Sequence, residues 1–420
     1  VLDDGGSKQS DVLILDKAET GTGATRVLIS NAGGLGGQTT GDGILVINVR
    51  DKSDADAFAL GNKPVAGAYE YHLVYQNAAK NDENWYLQSS FFDGSLEYPS
   101  IVSGALLSWY SDLNGLHDRM GERRSQIEDG QMASLPVATD IADNSAVRVN
   151  SGGDGGWLRV SGADMDIEQD GPADFDLNAT RATAGFDLGF NNILDGADWL
   201  VLGAMAGYGW SSAGFEGGSD VDFDIATLGA YATYFRGPYY LDALVKFDWM
   251  DGTFNSENAS DDVELPVFGL SLETGYRFDL TPDGLYLQPQ AQLSYAHSGD
   301  DSITDKSGSK IELQDADSLR GRLGARLGQE LSTTAGAAAE PVTGNFYLEA
   351  AVNQEFLGET EAKVSGLTLE QELPGTTFEI GGGIDIALPK EGLTFTVDAD
   401  YTLGDEAEGI SATGGFRINW

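Results

Sequence analysis

The chain has 420 residues, 67 acidic against 24 basic, a formal net charge of −43 and no cysteine. So strong an acid balance without a basic patch excludes nucleic acid as a partner and repels anionic headgroups, and the missing Cys closes the disulfide and Cys-zinc routes. At this length two or more folding units are expected, and 56 Gly against 11 Pro fits an all-β chain with tight turns rather than collagen or disorder.

The chain opens mid-pattern at Val1, as expected of a fragment or a processed product. Residues 1–92 carry short β-rich runs at 11–15, 26–30, 43–49, 69–75 and 85–87, separated by Gly/Asp/Asn turns. Their spacing, with apolar β-branched residues at the run centres, suits the end of a parallel β-helix. A small β-sandwich has the same strand count, and this stretch by itself leaves both open. The last runs are aromatic (Tyr69, Tyr71, Tyr75, Trp85, Tyr86, Phe91, Phe92), with rings large enough to plug the end of a solenoid.

From residue 93 the period changes. Pro99 precedes Ile101, Ala105, Leu106, Trp109, Leu113, Leu116 and Met120, spaced by helical turns. This predicts an amphipathic helix over 93–128, ending in the basic cluster Arg119, Arg123 and Arg124. Its apolar stretch is too short and interrupted for lipid. At ~1.5 Å per residue, however, some ~30 residues reach roughly 45 Å, more than the ~30 Å hydrocarbon thickness. The Gly-rich stretch 129–156 reads as a flexible lead-in, so 93–156 is a linker containing a helix.

Residues 157–420 alternate strictly. Leu285, Leu287, Pro289, Ala291, Leu293 and Tyr295 interleave with Tyr286, Gln288, Gln290, Gln292 and Ser294; Phe416, Ile418 and Trp420 share the apolar face of the last run. Successive strand side chains point to opposite faces, so each strand has one apolar and one polar side. No apolar run reaches the ~18–20 residues of a spanning helix, so a bilayer crossing must be made by strands. The predicted strands run ~10–16 residues, longer than those of soluble sheets. Aromatics mark their ends (Trp157, Phe190, Trp199, Tyr239, Trp249, Phe278, Tyr286, Tyr401, Trp420). Tight turns at 236–238, 281–284 and 389–392 alternate with long acidic loops at 251–262, 298–314 and 357–375.

These features predict a transmembrane, antiparallel β-barrel of about twelve strands: roughly 157–165, 175–190, 198–211, 221–236, 239–251, 263–280, 284–297, 316–330, 343–356, 376–388, 392–404 and 409–420. The second is irregular, because Phe175 and Leu177 fall on the parity opposite to Phe186 and Leu188. Either a bulge intervenes or its outer half rises above the lipid.

With the apolar face in lipid, the other face collects Asp242, Asp248, Glu273, Asp279, Glu349, Glu379, Asp385, Asp398 and Asp400, and Arg159, Lys246, Arg277, Arg320, Arg322, Arg326 and Arg417. At mid-bilayer a charge costs up to ~2–4 kcal/mol, so these line an interior. A barrel of this size holds one helix. The helix, with Trp109 and His117 on it, is expected to thread the pore, its arginines pairing with lumen carboxylates; a solvated lumen without specific partners is the plainer alternative.

The order of features carries a resemblance. A solenoid end, a helix containing Leu116-His-Asp-Arg-Met-Gly-Glu-Arg-Arg124, a lead into Gly156-Trp-Leu-Arg-Val-Ser-Gly162, and a barrel closing on Gly415-Phe-Arg-Ile-Asn-Trp420 together resemble the autotransporters of type V secretion. Trp85-Tyr-Leu-Gln88 after Gly67-Ala-Tyr-Glu-Tyr71 resembles the pertactin-like end of their passengers. The resemblance implies an all-β fold, with a twelve-stranded outer-membrane barrel around the helix and a passenger displayed at the cell surface. Tyr69, Tyr71, Trp85 and Tyr86 would then lie in the segment that nucleates passenger folding, and Phe416, Ile418 and Trp420 in the signal read by the barrel-assembly machinery. Implied partners are outer-membrane lipid and lipopolysaccharide, that machinery and the chain's own passenger, with a monomeric barrel and no cofactor or metal. Some autotransporters cut their passenger at an Asn pair in the helix. Here the nearest candidate is Asn114-Gly115, whose plainer reading is ordinary helix surface.

Other chemistry is thin. His72 falls in a solenoid strand and His117 beside the helix arginines. His297, near Ser298, Asp300 and Asp301, is the one constellation that resembles a barrel-rim hydrolase. Asp220/Asp222/Asp224 and Asp261/Asp262 lack the loop spacing of a calcium site. A stand-alone porin or adhesin-type barrel is the second reading, and it leaves the helix without a role.

Overall fold

The computed structural model describes residues 1–2, 10–118, 154–168, 174–191, 193–194, 198–257, 259–306, 308–333, 342–388 and 392–420. The N-terminal part contains β1 (Leu13–Ala18), β2 (Thr25–Val27), β3 (Ile44–Ser53), β4 (Phe58–Leu60), β5 (Val65–Ala66), β6 (Tyr69–Tyr75) and β7 (Trp85–Phe91). Parallel ladders join β1 to β3 (Leu13 opposite Ile47) and β2 to β4 (Thr25 opposite Phe58), the signature of one solenoid coil. Asn62 ties the two levels of the coil, accepting the Ile29 N–H at 2.9 Å and donating to the Ile29 carbonyl at 2.7 Å. The coil then ends. β7 lies antiparallel to β3, and β6 antiparallel to β7, so a hairpin caps the stack. Tyr69, Tyr71, Trp85 and Tyr86 are buried in this cap, whereas Phe91 is exposed. Trp85 packs edge-on to Phe58 at 5.4 Å and donates to Ser53 Oγ at 3.1 Å.

The helix α1 (Glu97–Tyr110) starts two residues before Pro99, which the first turn tolerates, and residues 113–118 are helical again after a turn at 111–112. The sequence predicts an amphipathic helix, but every residue of α1 is buried, polar positions included. The barrel surrounds it, so its polar face meets polar staves instead of water.

The remaining strands are β8 (Gly155–Ile167), β9 (Phe175–Asn191), β10 (Asp198–Phe215), β11 (Asp220–Arg236), β12 (Tyr239–Asn255), β13 (Ser260–Glu264), β14 (Val267–Tyr276), β15 (Phe278–Asp279), β16 (Leu285–Ser298), β17 (Asp301–Thr304), β18 (Lys310–Leu313), β19 (Ala316–Thr333), β20 (Val342–Glu355), β21 (Glu359–Val364), β22 (Leu367–Glu372), β23 (Thr376–Leu388), β24 (Leu393–Gly404) and β25 (Ala407–Asn419). Twelve of them (β8 to β12, β14, β16, β19, β20 and β23 to β25) are staves of an antiparallel barrel that closes where β25 pairs β8, Phe416 opposite Leu158. Closure leaves no edge strand, which a bilayer demands because its interior offers unpaired backbone groups no water. Leu228, Leu270, Leu293, Leu323, Leu348 and Val397, one per stave, form part of an exposed apolar belt.

Two expectations are corrected, and one open alternative is decided. β9 has no bulge: its register against β8 and β10 is continuous, and Phe175 and Leu177 point inward, where the upper lumen is apolar. Trp157 and Tyr286 do not mark the outer girdle but turn into the barrel, each covering a neighbouring-strand glycine, Gly185 and Gly328. The stretches 298–314 and 357–375 are not simple loops, since β17, β18, β21 and β22 make a four-stranded sheet over the upper mouth. Ile303, Ile311, Leu313, Ala362, Val364 and Leu369 are buried beneath it, in one core with α1 and the N-terminal coil. Strands of four to six residues among acids give too short an alternation to stand out in sequence.

Candidate functional site: the helix-filled pore

The helix enters at the upper mouth, where Glu97 accepts a hydrogen bond from Ser219 and Tyr98 packs on Phe254 with ring centroids 5.9 Å apart. One turn lower, Ser103 Oγ lies 3.0 Å from Thr360 Oγ1 of the covering sheet. Tyr110 Oη and Ser318 Oγ are 2.9 Å apart, and the Arg320 guanidinium stacks 4.0 Å over the Tyr110 ring. Arg320 in turn reaches Glu355 at 3.3 Å.

The end of α1 meets an ionic cluster. Lys246 Nζ donates to the Trp109 carbonyl at 2.7 Å and to Asp112 at 2.5 Å, and sits 4.8 Å from the Trp109 ring centroid. Arg181 donates to the Ser108 carbonyl at 3.3 Å, pairs with Asp248 at 2.6 Å and approaches Asp112 at 3.5 Å. All four charged side chains are at most 3% exposed. Two cations therefore meet carbonyls of the last turn of α1, where the helix dipole is negative, and two carboxylates balance them.

Lower still, His117 Nδ1 is 2.7 Å from Asp242 and Nε2 is 2.9 Å from Ser271 Oγ. The carboxylate makes Nδ1 the protonated nitrogen. Asp118 pairs with Arg326, which also holds Glu349 at 2.7 Å, and Arg322 bridges Glu349 and Glu379, the latter at 2.9 Å. Asn114 Nδ2 is 3.4 Å from both Glu379 oxygens.

Of the expected lumen residues, the structure brings Trp109, His117, Asp242, Asp248, Arg320, Arg322, Arg326 and Glu349 onto the helix or into its networks. Glu273 is buried and accepts from Tyr240 at 2.8 Å. Arg277 lies at the lower rim, stacked 4.1 Å over Tyr286 and paired with Asp279, which is exposed rather than enclosed. Asp385 accepts from Asn345 at 3.0 Å. Asp398 is buried and Asp400 half-buried in the lower lumen. Arg119, Arg123 and Arg124 lie outside the described residues. Phe416, Ile418 and Trp420 are exposed on the exterior, Trp420 stacking on Phe186 at 6.1 Å.

Sequence reading missed Asp112, Asp118 and Arg181. Arg181 shares the parity of Phe175 and Leu177, so doubt over that strand's faces hid it; Asp112 and Asp118 carry no signal beyond lying on the helix's polar side. The His297 constellation does not assemble. His297 faces outward, 2.9 Å from Asp317, while Ser298 is buried on the opposite face. Among the described residues the acids grouped closely enough for a cation are Glu359, Glu361 and Glu370 on the covering sheet. No described helix is long and apolar enough to cross a membrane.

Comparison with known proteins follows the same division of the chain. Residues 156–400 match the Autotransporter beta-domain family and residues 1–73 the family Autochaperone Domain Type 1. The Pertactin autotransporter of Bordetella parapertussis is 27% identical over 74% of this chain, which spans 31% of that protein. The Probable autotransporter YcgV of Escherichia coli is 28% identical over 76% of the chain, and the Adhesin BmaC autotransporter of Brucella suis 26% over 97%; the chain spans 30% and 13% of their lengths. In fold, the barrel is similar to the β domain of the Bordetella autotransporter BrkA (TM-score 0.52, 22% identity, 64% of this chain, 99% of that one). It is equally similar to the translocator domain of NalP from Neisseria meningitidis (TM-score 0.52, 16% identity, 74% and 98%).

Proposed function

The chain belongs to the Autotransporter beta-domain family, and from that premise we propose that it is the translocator unit that exports and displays the passenger attached to its N-terminus. One observation carries this reading. Residues 97–118 run down the lumen from the coil at the upper mouth, whereas β8 begins at the lower rim, beside Trp420. A segment leading from an outside domain into the pore is what a chain drawn through its own barrel leaves behind.

In this reading residues 1–92 are the folding end of the passenger, 93–156 the linker and 157–420 the translocator. The barrel sits in the outer membrane as a monomer, its belt in lipid and its upper hairpins among lipopolysaccharide. Phe416, Ile418 and Trp420, exposed at the last stave, present a face to the assembly machinery. Asp398 and Asp400 remain as lumen carboxylates toward which Arg119, Arg123 and Arg124 would pair. The role is transport and display rather than catalysis.

The test is surface labelling of a tag placed within residues 1–92 in Gram-negative cells. Export predicts labelling in intact cells; a tag retained in the periplasm beneath a folded outer-membrane barrel would overturn it. The porin reading makes a different prediction, an open channel as purified.

A further inference from the structure

On the outside of the barrel, the upper ends of β9 to β13 line a groove of about 720 Å³. Register sets a row of outward side chains across it: Thr180, Trp210, Asp224, Asp251 and Glu264 stand opposite one another on five adjacent strands. One step higher, Asn178 and Asp222 flank Ser212, and Asp262 faces Thr253. Five carboxylates line the groove, and among its described lining residues none is Lys or Arg. Trp210 is 57% exposed and packs edge-on to Tyr208 at 5.5 Å, while the Tyr208 hydroxyl donates to Asp224 at 3.0 Å. An indole face therefore stands open beside acceptor oxygens, an apolar platform with a polar rim that suits a sugar ring.

The groove is continuous with the lipid belt. Beneath it Ala182, Ala184, Ala204 and Ala206 are exposed on β9 and β10, with Tyr208 above them, Phe186 below and Leu228 alongside. These short side chains leave a shallow bay at the height where acyl chains lie. The row above it carries a charge problem. Asp224, Asp251 and Glu264 are like charges set directly opposite on neighbouring strands, which is destabilising. A divalent cation relieves that repulsion, since hard oxygen ligands suit it. The acids lack the spacing of a calcium loop, so the protein closes only part of a coordination shell and leaves the rest to oxygens from outside. The same acids repel a phosphorylated headgroup unless a cation stands between them.

We propose that the outer face of β9 to β13 is a docking surface for lipopolysaccharide. A headgroup sugar lies on Trp210, phosphate is joined through a divalent cation to Asp224, Asp251 and Glu264, and acyl chains fill the alanine bay. Binding then requires lipid and cation together. The inference rests on the outer-membrane setting of the proposed translocator, and it gives the lipid partner a place on the barrel.

The test uses the whole chain in detergent micelles, with binding of fluorescently labelled lipopolysaccharide read by anisotropy in Mg2+ or in EDTA. Heat-modifiable migration checks that each variant is folded. Binding is expected in Mg2+ and lost in EDTA. The double variant Asp224→Asn/Asp251→Asn and the single variant Trp210→Ala should each weaken it by about tenfold or more. Asp317→Asn, which neutralises an exposed acid on β19 away from the groove, should bind as the parent does. If the double variant does not fold, Trp210→Ala decides. Parental affinity in the folded groove variants overturns the proposal. So does equal binding of phosphatidylglycerol in Mg2+, since that lipid has the phosphate without the sugar. A response to Mg2+ alone, with nothing gained from lipid, marks an adventitious ion only and overturns it too. Export and docking fail separately, because surface labelling in cells does not read this affinity.

Discussion

Lys246 of β12 drives its ammonium to 2.5 Å from Asp112 of the threading segment, with neither side chain more than 3% exposed. Between them they join the plug to the wall. Arg181 and Asp248 complete the group, so no member is a lone buried charge.

Asp112→Ala leaves two buried cations facing one carboxylate. Breaking a buried pair from one side costs about 3–5 kcal/mol, more than the net worth of the pair itself. The expected result is a lower midpoint for heat-modifiable migration and a higher single-channel conductance. Conductance equal to the parent protein's would mean that the cluster does not hold the helix.

Deleting residues 97–118 removes every described contact of the plug but leaves the staves paired. Planar-bilayer recordings should then show an open channel, because the helix no longer fills the lumen beside Asp242, Lys246, Arg326 and Glu379, which meet His117, Asp112, Asp118 and Asn114 in the intact chain. A channel as closed as that of the intact chain would show that the helix is not what fills it.

Gly203→Ala should weaken the seam between first and last staves. The Tyr231 ring covers Gly203, and an added Cβ would displace it. Tyr231 Oη accepts from Trp157 Nε1 at 2.6 Å and donates to Asp187, which pairs with Arg417 on β25. Overpacking of this kind costs about 1–3 kcal/mol. Thermal unfolding in detergent reads it, and a midpoint at the parent value rules it out.

The coil cap should respond to pH on both sides. The Glu83 carboxyl is held below its usual range by the Tyr75 hydroxyl and the Ser53 N–H, while burial and that same bond push Tyr75 up to about 12. A lowered carboxyl contributes stability above its ordinary range and loses it as pH falls through the depressed value. The raised phenol contributes below 10 and loses it as pH climbs toward about 12. Glu83→Gln should blunt the acid loss and bring the phenolate absorbance transition of Tyr75 down; an unmoved transition would sever the link.

The barrel was legible because alternation over long strands is a local property. Leu287, Leu293, Gln288 and Gln292 state their faces without knowing their neighbours, since a strand's side chains must point to opposite sides. The helix was legible for the same reason, from its spaced Ile101, Ala105 and Trp109. The covering sheet was not, because strands as short as Asp301–Thr304 show too little alternation. Nor were the partners: Lys246 and Asp112 stand 134 residues apart, and Gly67 and Asp305 stand 238 apart.

Sequence by itself determined the two faces of the regularly alternating staves, that there are about twelve of them, and that a helix precedes them, because each follows from the periodicity of covalent geometry. Tertiary structure alone decided which inward charges meet, that Trp157 and Tyr286 turn in over glycines, and that the hairpins reach the coil. Those depend on barrel closure and stagger, which bring together groups from staves with no sequence relation to one another.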